Sequence, residues 1–95
     1  MINLPIKKIW FDMIASGDKK EEYRNITPRH TALFNNAINE NNEFICMLRN
    51  GYSKNSPVLV VKVRLSIGCG LPEWGAEPNK QYYILSVLEI IDIHK

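Results

Sequence analysis

Eight consecutive residues, Gly17-Asp18-Lys19-Lys20-Glu21-Glu22-Tyr23-Arg24, bring together three carboxylates, two ammonium groups, a phenol and a guanidinium. Lys19 offers a mobile ammonium with three donors. Glu22 offers an acceptor suited to a base amine or a sugar hydroxyl. Arg24 offers a planar fork that matches a phosphate or a base edge. Held on one surface, the three would grip an anionic ligand rich in hydrogen-bonding groups, such as a nucleotide. Catalysis is open to the same set. If burial lowers its pKa, Lys19 can act as nucleophile or base with Glu22 as partner. The competing expectation is a strand of alternating charges paired in solvent, each pair worth about 0–1 kcal/mol.

Other residues carry weaker chemistry. Trp74, within Pro72-Glu73-Trp74-Gly75, can stack on a base, a contact worth about 1–3 kcal/mol, or it can plug one end of the fold as core. Arg49, Asn50 and Tyr52 surround a turn that Asn50-Gly51 explains on its own. Arg49 and Tyr52 can equally line a cleft beside the charged segment. Lys62 and Arg64 share the polar face of a strand and are expected to be solvated. Gly68-Cys69-Gly70 is too short for a phosphate loop and is expected to be a bulge or turn.

Periodicity sets the secondary structure that holds these groups. Ile6, Ile9, Trp10, Met13 and Ile14 fall on one stripe, which predicts an amphipathic helix from about Pro5 to Ser16. In that helix Pro5 suits the first turn and Gly17 the C-terminal cap, and Trp10 is expected in the core. Lys19 to Asn25 reads as a strand, with Lys20, Glu22 and Arg24 on one face. Thr27-Pro28 signals the start of a second helix, with Ala32, Leu33, Ala37 and Ile38 as its apolar stripe. Glu43 to Arg49, Val58 to Ile67 and Tyr82 to Ile93 read as strands, separated by the Asn50-Gly51 turn and by a Gly- and Pro-rich loop over residues 68–80. In Val58 to Ile67 the residues Leu59, Val61, Val63, Leu65 and Ile67 line one face. The order β-α-β-α-β-β-β predicts an α+β fold with a mixed or barrel-like sheet flanked by the helices.

Size and composition bound the function. The 95 residues suit a single domain spanning 1–95. A hydrophobic fraction of 45% and a net charge of +2 argue against disorder. No apolar run approaches the roughly 20 residues of a membrane helix, and no signal peptide is expected. Cys46 and Cys69 sit in unlike contexts, and His30 and His94 lie far apart, so no metal site is expected. Nothing calls for a cofactor. A cytoplasmic chain with reduced thiols is the expectation. Residues 1–64 hold ten Lys/Arg against six Asp/Glu, whereas residues 65–95 hold two against four. A basic first two-thirds is compatible with an anionic ligand.

The charged segment fills the pattern G-x-K-x-x-E-x-R with Gly17, Lys19, Glu22 and Arg24, and so resembles the signature of the ASCH superfamily. The preceding Trp10-Phe11-Asp12-Met13-Ile14-Ala15-Ser16-Gly17 is similar to the helix before that motif. Arg49-Asn50-Gly51-Tyr52 and Pro72-Glu73-Trp74-Gly75-Ala76 resemble segments of small ASCH-like proteins of phage and prophage origin. The resemblance implies a PUA-like fold, a small mixed β-barrel with flanking helices, that binds RNA or a nucleotide or nucleoside. It implies a ligand cleft formed by Lys19, Glu22, Arg24, Arg49, Tyr52 and Trp74. Some members hydrolyse the amide of acetylated cytidine, and ribonuclease activity is known in the superfamily. An enzymatic role would make Lys19 and Glu22 catalytic. Here Glu22 stands where those amidohydrolases carry a Thr nucleophile, and Glu73 or Glu77 would have to replace their distal glutamate. A third possibility is a phage accessory protein that binds a host protein. Strand alternation groups Lys20 with Glu22 and Arg24, whereas the family spacing selects Lys19. A turn or bulge at the start of the strand would reconcile the two.

Overall fold

The computed structural model describes residues 1–95. Strand β1 (Ile2–Ile6) leads into helix α1 (Lys8–Ser16), short strand β2 (Glu21–Arg24) and helix α2 (Pro28–Ala37). Next come strands β3 (Glu43–Asn50), β4 (Val58–Cys69) and β5 (Gln81–His94), with one 3-10 turn at Pro72–Trp74. The expected order of elements is therefore present, and the fold is α+β.

The helix termini obey local chemistry. Thr27 caps α2, its hydroxyl accepting the His30 N–H at 3.1 Å, with Pro28 next. Gly17 ends α1 at φ 89°, where its N–H reaches the Ile14 carbonyl. A residue with a Cβ is strained at that φ, which explains a glycine there.

The start of α1 differs from expectation. Pro5 and Ile6 belong to β1, which pairs in parallel with β3, and the helix begins at Lys8. The expected stripe holds at Trp10, Met13 and Ile14, which are half-buried or buried, but fails at Ile9, which is 58% exposed, while Phe11, outside that stripe, is buried. Proline fits β1 because the strand is an edge. The N and C=O of one strand residue point to the same side. The Pro5 carbonyl meets Arg24 rather than β3, so its nitrogen faces the open edge, where no donor is required.

The five strands form one sheet in the order β1-β3-β4-β5-β2. β1 and β3 are parallel and the other pairs antiparallel. β4 and β5 form a long hairpin whose register shifts between Val60 and Val61 and between Lys62 and Val63. Bulges of this kind bend a sheet and increase its twist. The expected closed barrel is not formed, because β1 and β2 are both edges and no ladder joins them. A single side-chain bond, from Arg24 Nη2 to the Pro5 carbonyl at 2.8 Å, spans them.

The core lies on the inner face of the sheet. Phe44, Cys46 and Leu48 of β3 and Leu59, Val61 and Val63 of β4 meet Phe11 and Ile14 of α1 and Phe34 of α2. The expected inner row of β4 holds only as far as Val63: Leu65 is half-buried and Ile67 is exposed. Phe34 is fully buried, stacked near Phe44 and edge-on to Tyr83. The burial of α2 thus centres on Phe34, with Leu33, Ala37 and Ile38 partly buried and Ala32 exposed. Gly68 and Cys69 continue β4, so the chain does not turn until after Cys69, later than expected.

Candidate functional site

Lys19 sits in the irregular link between Gly17 and β2 and is only 1% exposed. Its ammonium donates to the Trp74 carbonyl. It lies 3.4 Å from Glu22 Oε1 and under 5 Å from the ring centres of Trp10 and Tyr23. Burial pushes its pKa below the ordinary lysine value, and the Glu22 carboxylate pulls in the opposite direction. Lys20, by contrast, is exposed. The irregular link carries Lys19 to Glu22 without strand alternation, which reconciles the spacing with the pleat.

Glu22 is 7% exposed and shared between two cations. Its second oxygen accepts from Arg24 Nη2 at 3.0 Å. Lys19, Glu22 and Arg24 thus form one connected, largely buried network rather than ion pairs in solvent. Arg24 Nε is buried with no partner. Tyr23, on the other face of β2, donates to Glu21 at 2.7 Å and accepts the Leu71 N–H at 2.9 Å. Burial raises its phenol pKa.

The loop after β4 is fastened over this network. A Cβ at Gly70 would lie 2.5 Å from the Tyr23 ring, and one at Gly75 would lie 3.0 Å from the Trp10 ring. The loop backbone thus lies against both aromatic rings that flank the Lys19 ammonium.

A cleft of about 540 Å³ opens where β1 and β2 face each other. Pro5 and Ile6 form one wall, Glu22 to Asn25 the other, and Asn50 to Tyr52 close one end. Lys7, Lys8 and Trp10 of the β1–α1 junction and His30 of α2 complete it. Of the six residues expected in the cleft, Glu22, Arg24 and Tyr52 line it and Lys19, Arg49 and Trp74 do not. Tyr52 is 90% exposed, so its ring is free to stack. Lys19 and Trp74 lie behind the lining, joined to each other and, through Lys19, to Glu22. Arg49 holds the Ser53 and Lys54 carbonyls and lines a separate groove. Glu77 pairs with Lys80 near the surface, and Glu73 is exposed.

Lys7, Lys8, Asn25 and His30 were not among the residues the sequence pointed to. The available signal was a lysine pair at the start of a helix whose first turn holds no acid, a place where anions are favoured. His30 carried no such signal. No three or more His, Cys, Asp or Glu side chains converge in a metal-binding group, and no helix is long and apolar enough to cross a membrane. Set against known protein families, curated proteins and solved structures, the chain finds no match in any of the three.

Proposed function

We propose that this chain binds a nucleotide, free or as a unit of RNA, in the cleft between β1 and β2. The observation that carries this is the lining: a Glu22–Arg24 pair between strand edges, lysines at the mouth and a free tyrosine ring at one end. In this reading Lys7 and Lys8 meet phosphate, Tyr52 stacks on the base, and Arg24 and Glu22 offer a donor and an acceptor to its edge. Lys19 and Trp74 hold Glu22 from behind rather than touching ligand. The resemblance to ASCH domains supports the same ligand class.

The test is titration with a panel of nucleoside monophosphates, followed by NMR amide shifts and calorimetry. Shifts at Lys7, His30, Asn50 and Tyr52 are expected. Tyr52→Ala and Lys7→Ala should weaken binding several-fold with an unchanged melting temperature, since both side chains are exposed. Absence of any shift with every member of the panel would reject the assignment.

One observation favours a hydrolytic alternative at the same place: the Lys19 ammonium, pushed toward its neutral form by burial, lies beside Glu22. The loop carrying Trp74 would have to lift before Lys19 could meet substrate. This alternative expects release of acetate from acetylated cytidine, or cleavage of RNA, abolished by Lys19→Arg. Long incubation without product would remove it.

A further inference from the structure

A second groove, of about 390 Å³, lies at the same end of the sheet. It is lined by Met47, Arg49 and Val58 of the outer sheet face, by Lys54, Asn55 and Ser56 of the β3–β4 loop, and by the chain's last two residues. The two concavities share one partition. Asn50 borders the first cleft and Arg49, its neighbour in β3, borders the second. Successive strand residues point to opposite faces, so the loop over residues 51–57 is a ridge between them.

Charge is concentrated around that ridge. The first cleft is lined by Lys7, Lys8 and Arg24 against the side chain of Glu22 alone, and the second by Arg49, Lys54 and Lys95 with no acidic side chain. Together they hold six of the twelve Lys/Arg and one of the ten Asp/Glu. Pairing sharpens the contrast. Lys7, Arg49, Lys54 and Lys95 make no salt bridge, while Lys8 and Arg24 pair with Asp12 and Glu22. Elsewhere Lys19, Lys62, Arg64 and Lys80 are each paired with a glutamate, and Lys20 and Arg29 are not paired. Tyr52 stands on the ridge with its ring almost wholly in solvent. An exposed aromatic ring flanked by uncompensated cations is the arrangement by which proteins track a single strand: phosphates along the basic wall, a base on the ring.

We infer that the ligand is a single strand of nucleic acid longer than one nucleotide, which crosses the β3–β4 loop at Tyr52 and lays its next phosphates in the groove beside Arg49 and Lys54. This rests on the nucleotide reading of the first cleft. It adds a second site and a length requirement.

The experiment compares a nucleoside monophosphate, by calorimetry, with labelled eight-residue single strands of RNA and of DNA, by fluorescence anisotropy across a salt series. The octamer should bind at least tenfold more tightly than the mononucleotide at low salt. Lys54→Glu and, separately, the nearly isosteric Asn55→Asp should remove most of that gain. Removing one phosphate contact should lower the salt slope by about 0.7. Mononucleotide affinity is the internal control and should stay at the wild-type value in both variants. An octamer no tighter than the mononucleotide, or variants that bind it like wild type, would overturn the second site and leave the first cleft standing. Failure of both ligands to bind would reject the two together. RNA and DNA binding alike points to phosphate and stacking alone, while a preference for RNA adds a 2′-hydroxyl contact; either result supports the strand path.

Discussion

Lys19 decides how the site should be probed. A lysine 1% exposed, touching a carboxylate, a carbonyl and two aromatic faces, is part of the framework. Removing one partner of a buried pair typically destabilises by about 3–5 kcal/mol, because the other charge is stranded. Arg24 still faces Glu22 here, so Lys19→Met should lower stability in urea denaturation by about 3 kcal/mol, the low end of that range. The double variant Lys19→Met/Glu22→Gln should lose less than the single one. A double variant no more stable than the single would show that Glu22 does not depend on Lys19. Cys46 gives a second handle. Burial raises its thiol pKa from the ordinary 9.0 to about 12. A raised folded pKa means the folded chain holds the proton more tightly, so this contribution is complete below pH 9 and is lost as pH climbs toward 12. Lys19 acts in the reverse sense, since from its depressed folded pKa up to 10.5 the unfolded chain binds the extra proton. The Cys46 share is isolated by comparing wild type with Cys46→Ala: the stability gap should narrow by about 2 kcal/mol between about pH 8 and about pH 10.5. The same burial should leave one thiol per folded chain, the exposed Cys69, reactive toward a thiol reagent at about pH 8, and both thiols reactive in urea. Reaction of both thiols in the folded chain would contradict the packing around β3.

Elements set by neighbours in sequence were legible, and those set by distant partners were not. Thr27-Pro28 marked the start of α2 because capping is a bond between residues three apart. Thr27→Ala should accordingly lose about 1 kcal/mol of stability. Pro5 was misplaced because its environment is β3, more than forty residues away in sequence, and a parallel partner leaves no local trace. The depth of Lys19 was hidden for a related reason. Strand alternation describes residues inside β2, whereas Lys19 precedes it and is enclosed by a loop more than fifty residues later in the chain. The motif itself was visible in the sequence, and the structure joins its Lys, Glu and Arg into one network. The lysines and the histidine at the cleft mouth converge only once β1, α1 and α2 are docked. The loop over Lys19 is testable as an element. Gly70→Ala would drive a methyl group into the Tyr23 ring and toward Ala76, an overpacking that typically costs about 1–3 kcal/mol. The expected signs are a lowered melting temperature and new NMR shifts at Leu71 and Trp74. An unchanged melting temperature would mean that the loop is not fastened there.

For the whole molecule, the open sheet makes the cleft possible. Joining β1 to β2 by a ladder would fill the gap that Glu22, Arg24 and Pro5 now border. Leaving the seam open also exposes two strand edges, and exposed edges are where folded chains recruit one another into fibrils. β2 is only four residues long and offers little template. β1 is longer and richer in aliphatic side chains, running Ile2-Asn3-Leu4-Pro5-Ile6, and its proline withholds the one donor that an incoming strand would need at that point. Pro5 therefore serves colloidal stability. Pro5→Val would complete a five-residue β-prone edge while leaving the β3 ladder intact. Concentrated, agitated samples of that variant should turn thioflavin-positive well before wild type, at nearly unchanged monomer stability. Equal lag times would mean that some other feature keeps these molecules apart.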